Sequence, residues 1–343
     1  MMPLIARTMF NEYGNGKETV FLDPYVGSGT TLVEAQFYGA KEAIGVDLNP
    51  LAILISKTKT EEINLKHTED LINQFEKYIN EVRETKPSEF AIRDSWFSKN
   101  SVSELAKIKH FVFNIDNDGC KDFFKIAFSE VVRAVSETRN SEFKLYRMPK
   151  KSLEKFNPKP IELFKEILKR NLDTLKNIDY KRETKISLYN ENVLELSNHD
   201  ELMNHVDLII TSPPYGDSHT TVAYGQFSRL SNEWFDIKDA GTLDRRLLGG
   251  KKTQDREFGI TELDDAIKKI RINDKKFTRE RCWEVISFYN DYQKSVEVVS
   301  KTVKSGGYVI YVVGNRRVRN VELPLDVITY KMFESYGFTH LIT

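Results

Sequence analysis

Residues 19–50, TVFLDPYVGSGTTLVEAQFYGAKEAIGVDLNP, constrain the fold more than any other stretch of the 343-residue chain. TVFLD is a short apolar run ending in an acid. PYVGSG is a loop, and TTLVEAQFY has helical character closed by Gly39. AIGVDLNP is a second apolar run that again ends in an acid. Strand, glycine loop, helix and strand within about thirty residues make a βαβ unit, with parallel strands and a right-handed crossover. This is half of a nucleotide-binding fold.

The loop is not a P-loop, because no G-K-[ST] follows it, and it lacks the third glycine of a dinucleotide fingerprint. It offers a tight turn that lets backbone N–H groups approach a ligand at a helix N-terminus. Asp47, at the tip of the second strand, is placed to accept hydrogen bonds from both hydroxyls of a ribose. Its other reading is a cap on the turn at Asn49-Pro50. Together the loop and the acid imply an adenosine-type ligand.

A second block begins at Lys185, where KISLYNENVLEL reads as a strand and its loop, and continues through the strand VDLII into TSPPY. The proline pair removes two backbone donors and fixes φ, so the strand stops there with its last carbonyls left for other partners. Ligands sit at the C-terminal edge of a parallel sheet, which places Ser212, Pro213 and Tyr215 in the crevice of the glycine loop. The carbonyl before a proline and the Ser212 hydroxyl can accept hydrogens from an exocyclic amine, and Tyr215 can stack on the ring that carries it. A nucleobase reaches such a pocket only when flipped out of its stack. Further on, the pattern predicts a long amphipathic helix over about 283–303 stopped by SGG, a buried strand at 308–314, a helix in LDVITYKMFESYG, and the start of another strand in FTHLIT.

Between the blocks, residues 61–184 are helical in pattern, with Leu71, Ile72, Phe75, Tyr78, Ile79 and Val82 on one face. These stripes read as core, not as a cofactor box, and the segment as a helical insertion and target-recognition region. Residues 236–282 read as a basic loop insertion, in which DRRLLGGKKTQDREFG sets five basic residues around a glycine pair. This is either a solvated mobile loop or a nucleic-acid contact.

Lys and Arg number 51 and Asp and Glu 51, so a polyanion would have to be held by a local patch and not by overall charge. Cys120 and Cys282 lie far apart outside any C-x-x-C pattern, and six scattered histidines show no metal spacing. We therefore expect a reducing compartment and no metal. Neither cysteine follows a proline in a loop after a strand, which disfavours cytosine-C5 chemistry through a thiol nucleophile. No segment has the apolar length to span a membrane, and the start MMPLIARTMF lacks the features of a signal peptide, so a cytoplasmic location is expected.

Taken together, DPYVGSGTTLVEA, GVDLNPLA and TSPPY resemble the S-adenosylmethionine-dependent amino-methyltransferases of DNA. The resemblance implies an α/β fold of Rossmann-like methyltransferase type: a mostly parallel doubly wound sheet with a helical insertion. Residues 1–60 and 185–343 would form its core. Asp23, Pro24, Tyr25, Gly27, Ser28, Gly29, Thr30 and Thr31 would form the cofactor loop, with Asp47 and Asn49 at the ribose and Asn192 near the adenine. Ser212, Pro213, Pro214 and Tyr215 would be catalytic, and residues 217–229 a loop over the target, with Tyr224 and Arg229 as strand contacts. Serine at the first motif place resembles the cytosine-N4 enzymes, whereas aspartate is usual in adenine-N6 enzymes. YGDSHTTVAYGQFSRLSNEW and ETRNSEFKLYR resemble modification methylases of restriction systems. The order, cofactor loop before catalytic loop, excludes the circularly permuted group. Two departures are that the upstream segment is reduced to MMPLIARTMF and that the final β-hairpin of the sheet is missing. A fragment or split subunit is expected on that ground. The implied partners are duplex DNA with a flipped base and a cognate restriction endonuclease or complementing subunit. The alternatives are an adenine-N6 DNA methyltransferase, an RNA or protein-glutamine methyltransferase, and a catalytically silent recognition or cofactor-binding subunit.

Overall fold

The computed structural model describes residues 1–139, 142–177, 183–216, 224–277 and 281–343. These form two compact units. The sheet unit comprises Met1–Ile53, Arg182–Ala223 and Leu243–Thr343, and the helical unit Leu54–Lys181 and Tyr224–Thr242.

The sheet unit holds five parallel strands: β1 (Val20–Asp23), β2 (Glu42–Val46), β3 (Lys185–Tyr189), β4 (Val206–Thr211) and β5 (Val303–Tyr311), in the order β3-β2-β1-β4-β5. Parallel strands are covered on both faces, which is why the central pair β1 and β4 reads as nearly continuous apolar sequence. Successive side chains alternate between faces. Phe21, Leu208 and Ile210 pack with Phe10 and Leu32 beneath helices Pro3–Tyr13 and Thr30–Tyr38. Leu22 and Ile209 pack on the other face with helices Cys282–Thr302 and Leu325–Glu334. The strand order reverses between β1 and β4, so the loops leaving these two strands open a crevice at the sheet's C-terminal edge.

The start MMPLIARTMF folds as most of helix Pro3–Tyr13. It buries Phe10 against Phe21 at a ring separation of 4.8 Å and places Arg7 on Glu34 at 2.8 Å.

Four sequence expectations need correction. First, SGG does not stop the long helix. That helix ends at Thr302, β5 begins at Val303, and Ser305, Gly306 and Gly307 lie inside the strand. Gly306 has φ 80° and the β4–β5 register shifts between Val206 and Leu208 opposite it, so the glycines build a bulge. Second, FTHLIT forms no strand. Phe338 packs on Phe333 and His340 stacks on Tyr330 at 4.3 Å, which turns the segment back onto helix Leu325–Glu334. Third, residues 236–282 are not one loop. Residues 236–242 belong to the helical unit, and Thr261–Asp274 is a helix burying Leu263, Ala266, Ile267 and Ile270 in the sheet unit's core. Fourth, residues 224–229 are the first turns of helix Tyr224–Trp234 and not part of a loop, while 217–223 lie outside the described residues.

An antiparallel hairpin of β6 (Arg316–Val318) and β7 (Val321–Leu323) stands outside the main sheet. The helical unit has its own aromatic core. Phe75 meets Phe111 and Phe164 at 5.1 and 5.0 Å, and Trp234 is enclosed by Phe90, Phe97 and Phe128. Burial of Leu230 and Trp234 there is what draws residues 224–242 into this unit.

Candidate active site

Asp23 ends β1 and is buried. Its Oδ2 accepts from Thr31 Oγ1 at 2.5 Å, and its Oδ1 accepts from Thr211 Oγ1 at 2.5 Å and from the Tyr25 N–H at 3.0 Å. One carboxylate therefore ties the end of β1, the start of helix Thr30–Tyr38 and the end of β4 into a single knot. Desolvation in this knot pushes the Asp23 carboxyl up, against the lowering effect of its three donors.

The loop between β1 and the helix turns sharply. Gly27 and Gly29 have φ 52° and 74°, a region where an L side chain is strained. Gly29 is the helix N-cap and supplies no side chain, so nothing of its own covers the first-turn N–H groups. Val26 folds back onto β2: its N–H donates to the Val46 carbonyl at 2.9 Å, and its side chain fills the space above Gly45, where a Cβ would stand 2.9 Å from Val26 Cγ2. Ser28 is exposed at the crest of the turn and Thr30 is half-buried, whereas Pro24 and Thr31 are buried. The Tyr25 side chain turns inward, and its hydroxyl donates to Ser295 Oγ at 2.7 Å.

Asp47 follows β2. Its Oδ2 accepts the Gly27 N–H at 3.0 Å and its Oδ1 the Asn49 N–H at 2.8 Å, while desolvation pushes the carboxyl up to about 6. The Asn49 side-chain oxygen caps the next helix through the Leu51 N–H at 3.2 Å. Asn190, just beyond β3, donates to the Asp47 carbonyl at 2.9 Å. Asn192 is occupied at both ends of its amide. Its oxygen accepts from the Leu194 N–H and its nitrogen donates to the Arg246 carbonyl at 2.9 Å.

Thr211 ends β4, and its carbonyl is taken by the Val312 N–H at 2.8 Å, so the carbonyls left by the proline turn begin at Ser212. Ser212 Oγ and the Tyr215 hydroxyl lie 2.8 Å apart. Tyr215 is 38% exposed, Pro213 is buried and Pro214 half-buried. Beneath the motif, a Cβ on Gly216 would collide with the Arg316 guanidinium of β6, and Gly314 leaves room beside the Tyr215 ring. Thr211, Asn190, Ser295 and Arg316 were not singled out from sequence. Thr211 stands at the head of the motif and its hydroxyl was legible as a partner for the β1 acid. The other three are reached only through strand order and the long helix.

The glycine turn, the uncapped helix start and the carboxylate at the end of β2 fit an adenosyl ligand, because they offer donors to its polar tail and an acceptor to its ribose. A five-stranded parallel sheet of this order with that crevice and a proline turn beside it defines an α/β methyltransferase fold. Residues 2–245 match the family described as D12 class N6 adenine-specific DNA methyltransferase. The chain is also 36% identical over 376 aligned positions to the Type II methyltransferase M.MvaI of Kocuria varians, covering 99% of this chain and 80% of that protein. Similarity to the Type II methyltransferase M.BsoBI of Geobacillus stearothermophilus is 22% over 393 positions, covering 97% of this chain and 76% of that protein. No solved structure matches. The chain belongs to this family of DNA methyltransferases. Among the described residues no helix is long and apolar enough to cross a membrane.

Proposed function

We propose that the chain transfers a methyl group from S-adenosylmethionine to the exocyclic amine of a base flipped from duplex DNA, that the base is cytosine and the position N4, and that it serves a type II restriction-modification system. The system is suggested by the names of the two relatives. The observation that carries the chemistry is the Ser212–Tyr215 hydroxyl pair at 2.8 Å, on a turn bound through Thr211 to the same Asp23 that holds the glycine loop. Serine in that place supports cytosine. Adenine N6 is the second reading, favoured by the description of the matching family.

When bound, the cofactor supplies a methyl group made electrophilic by its sulfonium. Gly27, Ser28, Gly29 and Thr30 would line its polar tail through the turn and helix start, and Asp47 would accept from its ribose. Asp23, Pro24, Tyr25 and Thr31 are positioning residues on this reading, since their side chains are spent within the loop and core. Asn49 and Asn192 shape the rim by capping the segments after β2 and β3. Ser212 Oγ and the Pro213 carbonyl accept the amine hydrogens and turn the nitrogen lone pair toward the methyl, while the exposed Tyr215 ring stacks on the base and Pro214 fixes the turn. Transfer would form the C–N bond as the cofactor's C–S bond breaks, and the surplus amine proton would leave to solvent, directly or by way of the Ser212 hydroxyl. Proximity and orientation are the main sources of rate.

Ser212→Ala removes one positioned acceptor while leaving the cofactor loop intact. With labelled cofactor and duplex DNA, turnover falls by about 10²-fold, as for loss of one oriented hydrogen bond near the reacting atoms. Cofactor affinity, measured separately by calorimetry, stays within about twofold on the same argument. Equal losses in both would contradict the role.

A further inference from the structure

The basic segment DRRLLGGKKTQDR, residues 244–256, carries five basic and two acidic residues in a chain whose charges sum to zero. We infer that Arg245, Arg246, Lys251 and Lys252 form a preorganised clamp for the phosphates of the DNA substrate, an inference that rests on the reading of DNA as substrate. The first observation is the rigidity of the backbone that carries them. Leu243 and Leu248 are buried, and Leu248 belongs to the core shared with helix Cys282–Thr302. The Gly249 N–H donates to Asp291 Oδ2 at 3.0 Å and the Thr253 N–H to Ser287 Oγ at 3.0 Å, both on that helix. Gly249 has φ 73°, and a Cβ on it would stand 2.9 Å from Phe288 Cα, so the turn lies directly on the helix. The Arg246 carbonyl accepts from Asn192 at 2.9 Å, which fastens the segment to the end of β3. These bonds fix the segment's backbone at Arg246, Gly249 and Thr253.

The second observation is charge. The four side chains are exposed. Among the described residues none of the four has a carboxylate partner, and Lys252 lies over the Trp283 ring at 5.9 Å. Three other cations of the same unit are neutralised: Arg271 by Asp255 at 2.6 Å, Lys331 by Glu262 at 2.6 Å and Arg319 by Asp274 at 2.7 Å. Asp255, one of the segment's two acids, is thereby spent on Arg271, and Asp244 is the other. Four exposed cations on a fixed turn are complementary to a polyanion, and they lose little backbone freedom on binding it. Through Asn192 and Asn190 the turn belongs to the C-terminal rim of the sheet, the rim to which Ser212 and Asp47 also belong.

The test is the salt dependence of binding to a fluorescein-labelled duplex of about 30 base pairs, long enough to hold several phosphate contacts. The whole chain is used, as wild type and with Arg245, Arg246, Lys251 and Lys252 changed to Gln singly and together. Each cation withdrawn from a phosphate should reduce the slope of log K against log [NaCl] by about 0.9, so the slope of the fourfold variant should be shallower by about 3 to 4. Arg170→Gln, whose guanidinium is held by Glu130 at 2.6 Å in the helical unit, should leave the slope unchanged. Far-UV circular dichroism checks that each variant is folded, and the single variants keep the test available if the fourfold one is not. A wild type that binds with a steep slope and a fourfold variant with the same slope overturns the clamp and leaves the proposed function standing. A wild type that binds no duplex overturns both.

Discussion

Asp47 accepts two backbone N–H groups, and burial still pushes its carboxyl up from an ordinary value of 3.8 to about 6. The free protein therefore keeps a proton on Asp47 through a pH range in which an unfolded chain would have lost it. The sign follows: the stability this group contributes is present below about 4 and is lost as pH rises through about 6. Ribose recognition needs the opposite state, the ionised carboxylate. Affinity for S-adenosylhomocysteine should then rise with pH through a midpoint near 6 and level off above it, falling about tenfold per pH unit on the acid side. Titration calorimetry at several pH values reads this directly. Asp47→Asn, which sets an amide against one of two donors, should bind more weakly and without the midpoint. A wild-type affinity flat from about pH 5 to 8 would remove Asp47 from the cofactor site.

At the scale of elements, the knot at Asp23 joins β1, helix Thr30–Tyr38 and β4 through one carboxylate. Asp23→Ala leaves the buried Thr31 and Thr211 hydroxyls without their acceptor. The loss should be about 3 kcal/mol, at roughly 1–3 kcal/mol per stranded buried polar group. Urea unfolding checks it, and a loss under about 1 kcal/mol would mean that the strand ends hold together without the knot. The βαβ unit was legible because its signals are local: two short apolar runs, a glycine turn and acids at both strand ends all sit within 19–50. The end of the long helix was not. Ser305-Gly306-Gly307 carries the composition of a stop, but β4 pairs across it, and a bulge is defined by its partner strand and not by its own residues. FTHLIT likewise has strand composition, yet ring packing on Phe333 and Tyr330 takes it away from the sheet.

Across the whole chain, each of the two units has its own hydrophobic packing. The sheet unit carries every residue of the candidate site, and the helical unit is closed by its own aromatic cluster around Phe75 and Trp234. Helical stripes in 61–184 were readable as core from their period. The membership of 224–242 in that unit was not, because it depends on Trp234 reaching Phe90, Phe97 and Phe128, which are far away in sequence. The placement of the candidate residues was legible where motif and strand end coincide, at Asp23, Asp47 and Ser212–Tyr215. It was illegible where a residue acts through another segment, as Asn190 does on Asp47 and Arg316 beneath Gly216. The central claim is that this site methylates a DNA base, and that the base is cytosine. The purified chain, incubated with methyl-labelled S-adenosylmethionine and unmethylated genomic DNA, would be followed by digestion to nucleosides and mass spectrometry. The account predicts labelled N4-methylcytosine. Labelled N6-methyladenine would contradict the choice of base, and a chain that binds the cofactor but labels no DNA would contradict the claim itself.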